Sequence, residues 1–237
     1  MAITAAHKDH GVDLSAGSPF STNSVAFANN KLYLVSVYGV FDDLAVSGIT
    51  GGSLTWVNIA GGTTAEVTPT SQGISLWRGL VTAGASTGAL SISLTQASSE
   101  MYWTIDEFTG IDTGGTNGSA AIVQSTVGFS DGATSFSNTL SAFASGSNAA
   151  YGYSGHRNGN ATTPDTSNGG YTELCDFTDG TFNDARYMSQ WNIGSDTSVT
   201  SSWSGSVPCI SGAVEIKEAV TPFPVYVANH AVGTVRR

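Results

Sequence analysis

Apolar residues recur along this chain at every second position or in short unbroken runs, and nowhere at the three-and-four spacing of an amphipathic helix. The stretch "ALSISLT" (89–95) sets Leu90, Ile92 and Leu94 on one face and Ser91, Ser93 and Thr95 on the other, which predicts a half-buried strand. "EMYWTIDEF" (100–108) places Met101, Trp103 and Ile105 on one side of a pleat. "KLYLVSVYGVF" (31–41) is nearly continuous in β-branched, aromatic and aliphatic residues and predicts a central strand covered on both faces. Further strands are predicted at 53–59, 74–81, 120–129, 134–143, 148–157, 171–177, 185–194, 197–205 and 209–218. Gly-, Ser- and Asn-rich turns separate them, as in "GIDTGGTNGS" (110–119) and "NGNATTPDTSNGG" (158–170).

Strands at this spacing predict an all-β, jelly-roll-like β-sandwich of two antiparallel sheets. The expected organisation is an N-terminal arm over 1–19, the sandwich over 20–218 and an extended C-terminal arm over 219–237.

Composition narrows the function classes. Of 237 residues, 11% are charged and 40% apolar, so a packed core is expected and disorder is not. The net charge of −10, with only eight Lys and Arg, argues against nucleic acid as a partner. No apolar run reaches the roughly 18 residues of a membrane span, and the N-terminus carries no basic segment followed by an apolar stretch, so the chain is expected to fold in a cytoplasm or in a compartment reached without cleavage. Cys175 and Cys209 are expected to be two buried free thiols on strands.

The motifs that could carry chemistry resolve toward structural roles. "GASTG" (84–88) fits a nucleophile pattern, but a strand follows it instead of a helix, so Ser86 is read as a turn residue. Asp106 and Glu107 are neighbours on a strand and point to opposite faces, so they cannot share one bond as an acid/base pair. One is expected to face solvent and the other to cap a loop. His7 and His10, in "HKDH", lack a helix and a third ligand nearby in sequence, and read as part of a solvated arm. Asp176, Asp179 and Asp184 cluster in an oxygen-rich segment of the kind that can bind calcium, but their spacing does not match the EF-hand order and a plain Asx-turn loop is the preferred reading. Among the five tryptophans, Trp203 in "SSWSGS" is the least obviously buried and the candidate for ligand contact. No catalytic set, cofactor or metal is expected from these patterns.

The succession "GGSLTWVNIAGG", "ISLWRGLV", "GALSISLT", "MYWTIDEFTGID", "YTELCDF", "SQWNIGSDTSVTSSWSGS" and "GAVEIKE" resembles the jelly-roll sandwich modules of tailed-bacteriophage virion proteins, both head-decoration (cement) and tail-associated. The resemblance spans roughly 20–218. It implies a structural, non-enzymatic virion protein, made in the host bacterial cytoplasm and assembled on the head shell as a homotrimer against the major capsid protein. The alternative is a carbohydrate- or receptor-binding sandwich of a phage tail or cell surface, which would display aromatic residues in a groove.

The last stretch, "VTPFPVYVANHAVGTVRR" (220–237), suits the first reading. Pro222 and Pro224 remove backbone donors and direct the chain out of the sandwich. The alternating segment that follows reads either as a disordered tail or, the reading preferred, as an arm that docks on a partner, with Phe223, Val225, Tyr226 and Val227 as anchors and Arg236 and Arg237 meeting an acidic surface.

Overall fold

The computed structural model of the chain describes residues 1–15, 17–39, 45–65, 72–95, 100–157, 162–163, 170–178 and 185–219. Among them there is no α-helix, only two short 3-10 turns at Ala60–Gly62 and Ser119–Ala121. The N-terminal half supplies β1 (Thr4–Asp13), β2 (Phe20–Ser21), β3 (Val25–Ala26), β4 (Leu32–Gly39), β5 (Val46–Thr50) and β6 (Trp56–Asn58). It continues with β7 (Thr64–Ala65), β8 (Gly73–Gly79), β9 (Thr87–Gly88), β10 (Ser91–Leu94) and β11 (Met101–Thr109). The C-terminal half supplies β12 (Ile122–Thr139), β13 (Ala149–His156), β14 (Thr162–Thr163), β15 (Thr172–Thr178), β16 (Arg186–Ile193) and β17 (Ser198–Ile216).

Two antiparallel sheets form the sandwich that the strand spacing predicts. One runs β1-β11-β4-β8-β6, with β7 also on β8; the other runs β12-β17-β13-β16-β15, with β14 also on β17. Between them lies a core of Leu32, Leu34, Tyr38, Tyr102 and Phe108 from the first sheet against Tyr151, Tyr153, Tyr187, Ile210 and Val214 from the second. Buried aromatic rings dominate this layer, and each contributes more apolar area than an aliphatic side chain would.

Each sheet is also covered on its outer side. Over the first lie two small sheets, β2-β10-β5 and β3-β9. They enclose a second core of Phe20, Phe27, Tyr33, Val35, Trp56, Trp77, Ile92, Trp103 and Ile105. This explains why all eight residues of β4 are buried, and why Leu90, Ile92 and Leu94 share one buried face. Over the second sheet lies a ribbon made by its own longest strands. The β12–β17 ladder runs from Ile122↔Ile216 to Thr139↔Ser198, with register breaks between Ser130 and Ser135. Its far half doubles back on the sheet: Val199 packs at Gly152, Phe136 at Gly128, and Asn138 Nδ2 donates to Ser211 Oγ at 2.6 Å. Segments expected as separate strands at 120–129 and 134–143 are therefore one bent strand, as are those at 197–205 and 209–218.

The N-terminal segment corrects the expectation of an arm. Thr4–Asp13 is the edge strand of the first sheet, paired with β11 from Thr4↔Thr109 to Asp13↔Met101. Gly11 is required there, because a Cβ would stand 2.3 Å from the Trp103 ring.

Candidate functional site

A polar seam runs along the open edge of the sandwich, where β1 of one sheet meets β15 of the other. The local backbone creates it. In a regular strand His7 and His10 would point to opposite faces. The register of β1 on β11 shifts between His7↔Asp106 and Asp9↔Ile105, so Lys8 is an extra, bulged residue. The bulge puts His7 and His10 on the same face as Asp106 and Thr104. A second bulge lies opposite, where β15 skips Leu174 between Glu173↔Gln190 and Cys175↔Ser189.

The seam is connected by hydrogen bonds. His7 Nδ1 lies 2.8 Å from Asp106 Oδ1, and Tyr151 donates its hydroxyl to Asp106 Oδ2 at 2.8 Å. His7 Nε2 and His10 Nδ1 are 3.0 Å apart, and the His10 ring packs on Phe177 with centroids at 4.6 Å. Cys175 is buried beside them, so that one donor atom from each of His7, His10 and Cys175 lies within 4.8 Å of the others. Burial lowers the pKa of His10, and His7 beside it acts in the same sense against the opposing pull of Asp9 and Asp106. Burial pushes the Cys175 thiol well above its ordinary range, reinforced by Asp106, Asp176, Glu173 and Asp9. A thiol, two imidazoles and a carboxylate suggest nucleophilic chemistry, but an activated cysteine needs a stabilised thiolate, and this environment disfavours one. The same donor set, two imidazoles with one of them oriented by a carboxylate and a sulfur that deprotonates on coordination, suits a metal ion.

The acidic pair departs from its expected places. Neither carboxylate faces solvent: Asp106 is fully buried and Glu107 nearly so. They do lie on opposite faces. Glu107 accepts from Lys31 Nζ at 2.5 Å and from Tyr33 Oη at 2.6 Å, with Lys8 Nζ at 3.7 Å. Burial raises the Glu107 pKa, but Lys31, Tyr33 and Lys8 together hold it below the ordinary value. One buried carboxylate on each face, each with partners remote in sequence, is a packing arrangement, where the sequence suggested one residue facing solvent and the other capping a loop.

The other candidates are placed as follows. Ser86 sits in the loop before β9, its Oγ 2.9 Å from Ser53 Oγ. Asp176 forms a bidentate pair with Arg186, at 2.5 and 2.7 Å, which engages its carboxylate within the β15–β16 pairing. Asp179 and Asp184 lie outside the described residues, so the expected oxygen-rich loop is represented by Asp176 alone. Trp203 is buried, against expectation; it stacks on His156 at 4.7 Å and donates from Nε1 to Ala133 O at 2.8 Å. Trp56, Trp77 and Trp103 are buried too, and Trp191 is half-buried at the edge of the main core. Cys175 and Cys209 are both free and buried, as the sequence predicts. The proposed anchors Phe223, Val225, Tyr226, Val227, Arg236 and Arg237 lie outside the described residues.

A second feature is a groove of about 620 Å3 at one corner, lined among others by Ile122, Val123, Asn148, Lys217 and Ala219. The first and last described residues lie near it. Ala219 N donates to Gly110 O at 2.8 Å, Ile111 bridges to Glu218, and the Met1 amino group lies 4.0 Å from Glu218 Oε1. No helix among the described residues is long and apolar enough to cross a membrane. No protein-family model, curated protein or solved structure matches the chain.

Proposed function

We propose that this chain is a structural component of a bacteriophage virion, a protein that decorates the head shell and stabilises it by adding contacts that a free shell lacks. The resemblance of its strand succession to virion sandwich modules suggests the class. The observation that carries the reading furthest is the approach of the Met1 amino group to Glu218 at one corner, beside a mostly apolar groove that Ala219 helps to line. A groove of this kind at one corner offers an attachment face on one side of the layered body. The buried carboxylates Asp106 and Glu107 are occupied by His7, Tyr151, Lys31 and Tyr33, which favours a scaffold over an acid/base site.

The partner in this reading is the major capsid protein, with a homotrimer as the attached form. The burial of Trp203 weakens the carbohydrate-binding alternative, because it removes that reading's proposed stacking platform. The test compares the full chain with one ending at Ala219, in light scattering and in co-sedimentation with head shells of the phage that encodes it. The full chain should trimerise and sediment with shells. The truncated chain should do neither while keeping its melting temperature. A full-length chain that stays monomeric and leaves the shells in the supernatant overturns the proposal.

A further inference from the structure

We propose that His7, His10 and Cys175 bind one borderline-soft divalent cation, Zn2+ in the first instance, as a clip between the edge strands of the two main sheets. The inference concerns the isolated chain and stands whether or not the virion reading does.

Three observations converge on it. The first is the donor set, two imidazoles and a thiol, which is a usual zinc coordination shell with a fourth position open. Bond lengths of about 2.0–2.1 Å to nitrogen and about 2.3 Å to sulfur put tetrahedral donors roughly 3.3–3.6 Å apart. The three donor atoms here already lie within 4.8 Å of one another, and the two histidine nitrogens within 3.0 Å. Closing the cluster onto an ion takes a shift of about 1 Å, within the reach of side-chain torsions.

The second observation is the backbone. Each edge strand carries a bulge at this point, at Lys8 in β1 and at Leu174 in β15. Bulges re-aim side chains, and the one in β1 is what brings His7 and His10 to a common face.

The third is the surrounding shell. Asp106 Oδ1 accepts a hydrogen bond from His7 Nδ1, which leaves Nε2 with its lone pair on the side of His10, within the three-donor cluster. That carboxylate–imidazole arrangement orients metal-bound histidines generally. His10 is exposed, so a water molecule can reach the fourth position. On binding, the Cys175 thiol proton passes to solvent and the sulfur lone pair enters the metal shell.

The experiment uses the untagged full-length chain, stripped with chelator and titrated with Zn2+ against a chromophoric competitor. A parallel titration with Co2+ reads the ligand field, and Ca2+ serves as a hard-cation control. One Zn2+ per chain should bind. Co2+ should give tetrahedral d–d bands and a thiolate charge-transfer band, and Ca2+ should not compete. Zinc in about hundredfold excess over its dissociation constant should raise the melting temperature by about 5–10 °C. His10→Ala, at an exposed position, should weaken Zn2+ binding at least about tenfold. Cys175→Ser should remove the charge-transfer band, and the native circular dichroism of each variant shows that it has folded. The proposal is overturned if wild type binds no stoichiometric Zn2+. It is equally overturned if the bound Co2+ lacks a thiolate band, or if His10→Ala binds zinc as tightly as wild type.

Discussion

Gly155→Ala should unfold this protein more readily by about 2–4 kcal/mol, and the number can be built from its surroundings. A Cβ on Gly155 would stand 2.7 Å from Cγ, Cδ1 and Cδ2 of Tyr38, so the ring lies face-on over the glycine. Ordinary carbon contacts are about 3.5–4.0 Å, which requires the ring to retreat by about 1 Å. Its other face is stacked on Tyr187, with centroids 5.5 Å apart and planes 9° from parallel. Its hydroxyl donates to Gln72 Oε1 at 2.7 Å, and both residues are fully buried. With no free side to move into, the substitution costs the roughly 1–3 kcal/mol of an overpacked core. Disturbing the ring stack adds about 0.5–1.5 kcal/mol and weakening the hydroxyl bond about 1 kcal/mol. The stiffer unfolded chain returns about 0.4–1 kcal/mol. Urea unfolding followed by tryptophan fluorescence reads the difference, and the melting temperature should drop by about 5–15 °C. Gly48→Ala is the control, since nothing lies within 4 Å of its Cβ position, and it should change stability by under about 0.5 kcal/mol. In a Tyr38→Leu background the same Gly155→Ala change should cost much less. A loss below about 0.5 kcal/mol in the wild-type background would refute the steric argument.

Glu107 makes stability depend on pH in acid. Its folded pKa lies below the ordinary 4.5, so its contribution is complete above 4.5 and is lost as pH falls through the folded value. Glu107→Gln should flatten that part of a plot of urea midpoint against pH; parallel curves for variant and wild type would count against it. Tyr151→Phe leaves the buried Asp106 Oδ2 without its hydroxyl donor and should destabilise by about 1–3 kcal/mol in the same assay; an unchanged midpoint would show that the bond contributes nothing net. Burial pushes the Cys209 thiol up to about 12, so it should resist a disulfide reagent at pH 8 in the native state and react at once in denaturant. Rapid native labelling of Cys209 would mean that its strand opens.

Much of the fold is legible in the chain because its strands report their own faces. Leu90, Ile92 and Leu94 alternate against serines, and Met101, Trp103 and Ile105 face one core while Tyr102 and Phe108 face another. The unbroken apolar run of β4 signals that it is covered twice, though not that whole extra layers do the covering. β1 is not legible in the sequence because its inward face, Ala5, His7, His10 and Val12, is half polar and is brought into phase by a bulge that sequence periodicity cannot register. The third member of that cluster, Cys175, arrives from a strand far along the chain, and only the pairing of sheets brings it near. The burial of Asp106 and Glu107, where one was expected to face solvent and the other to cap a loop, is hidden for the same reason: their partners at positions 7, 31, 33 and 151 are remote in sequence. Trp203 lies in a serine-rich run that suggests exposure, yet the doubled-back ribbon encloses it on His156.

The division of the layers along the chain fixes the order in which they can be made. Every strand of the first sheet and its small outer sheets comes from residues 4–109, and every strand of the second sheet and its ribbon from 122–216. A ribosome that has released the first half has therefore released a complete pair of layers, with Leu32, Leu34, Tyr38, Tyr102 and Phe108 still facing water. The second sheet cannot close over them early, because its last-made strand, β17, lies between β12 and β13. At about 5–20 residues per second, translation from 110 to 216 leaves that aromatic face uncovered for roughly 5–20 s. Non-local pairing of this kind is also intrinsically slow once the chain is free. Nascent chains arrested between these two points should bind chaperones that recognise apolar surface, and should release them when Ile216 has emerged.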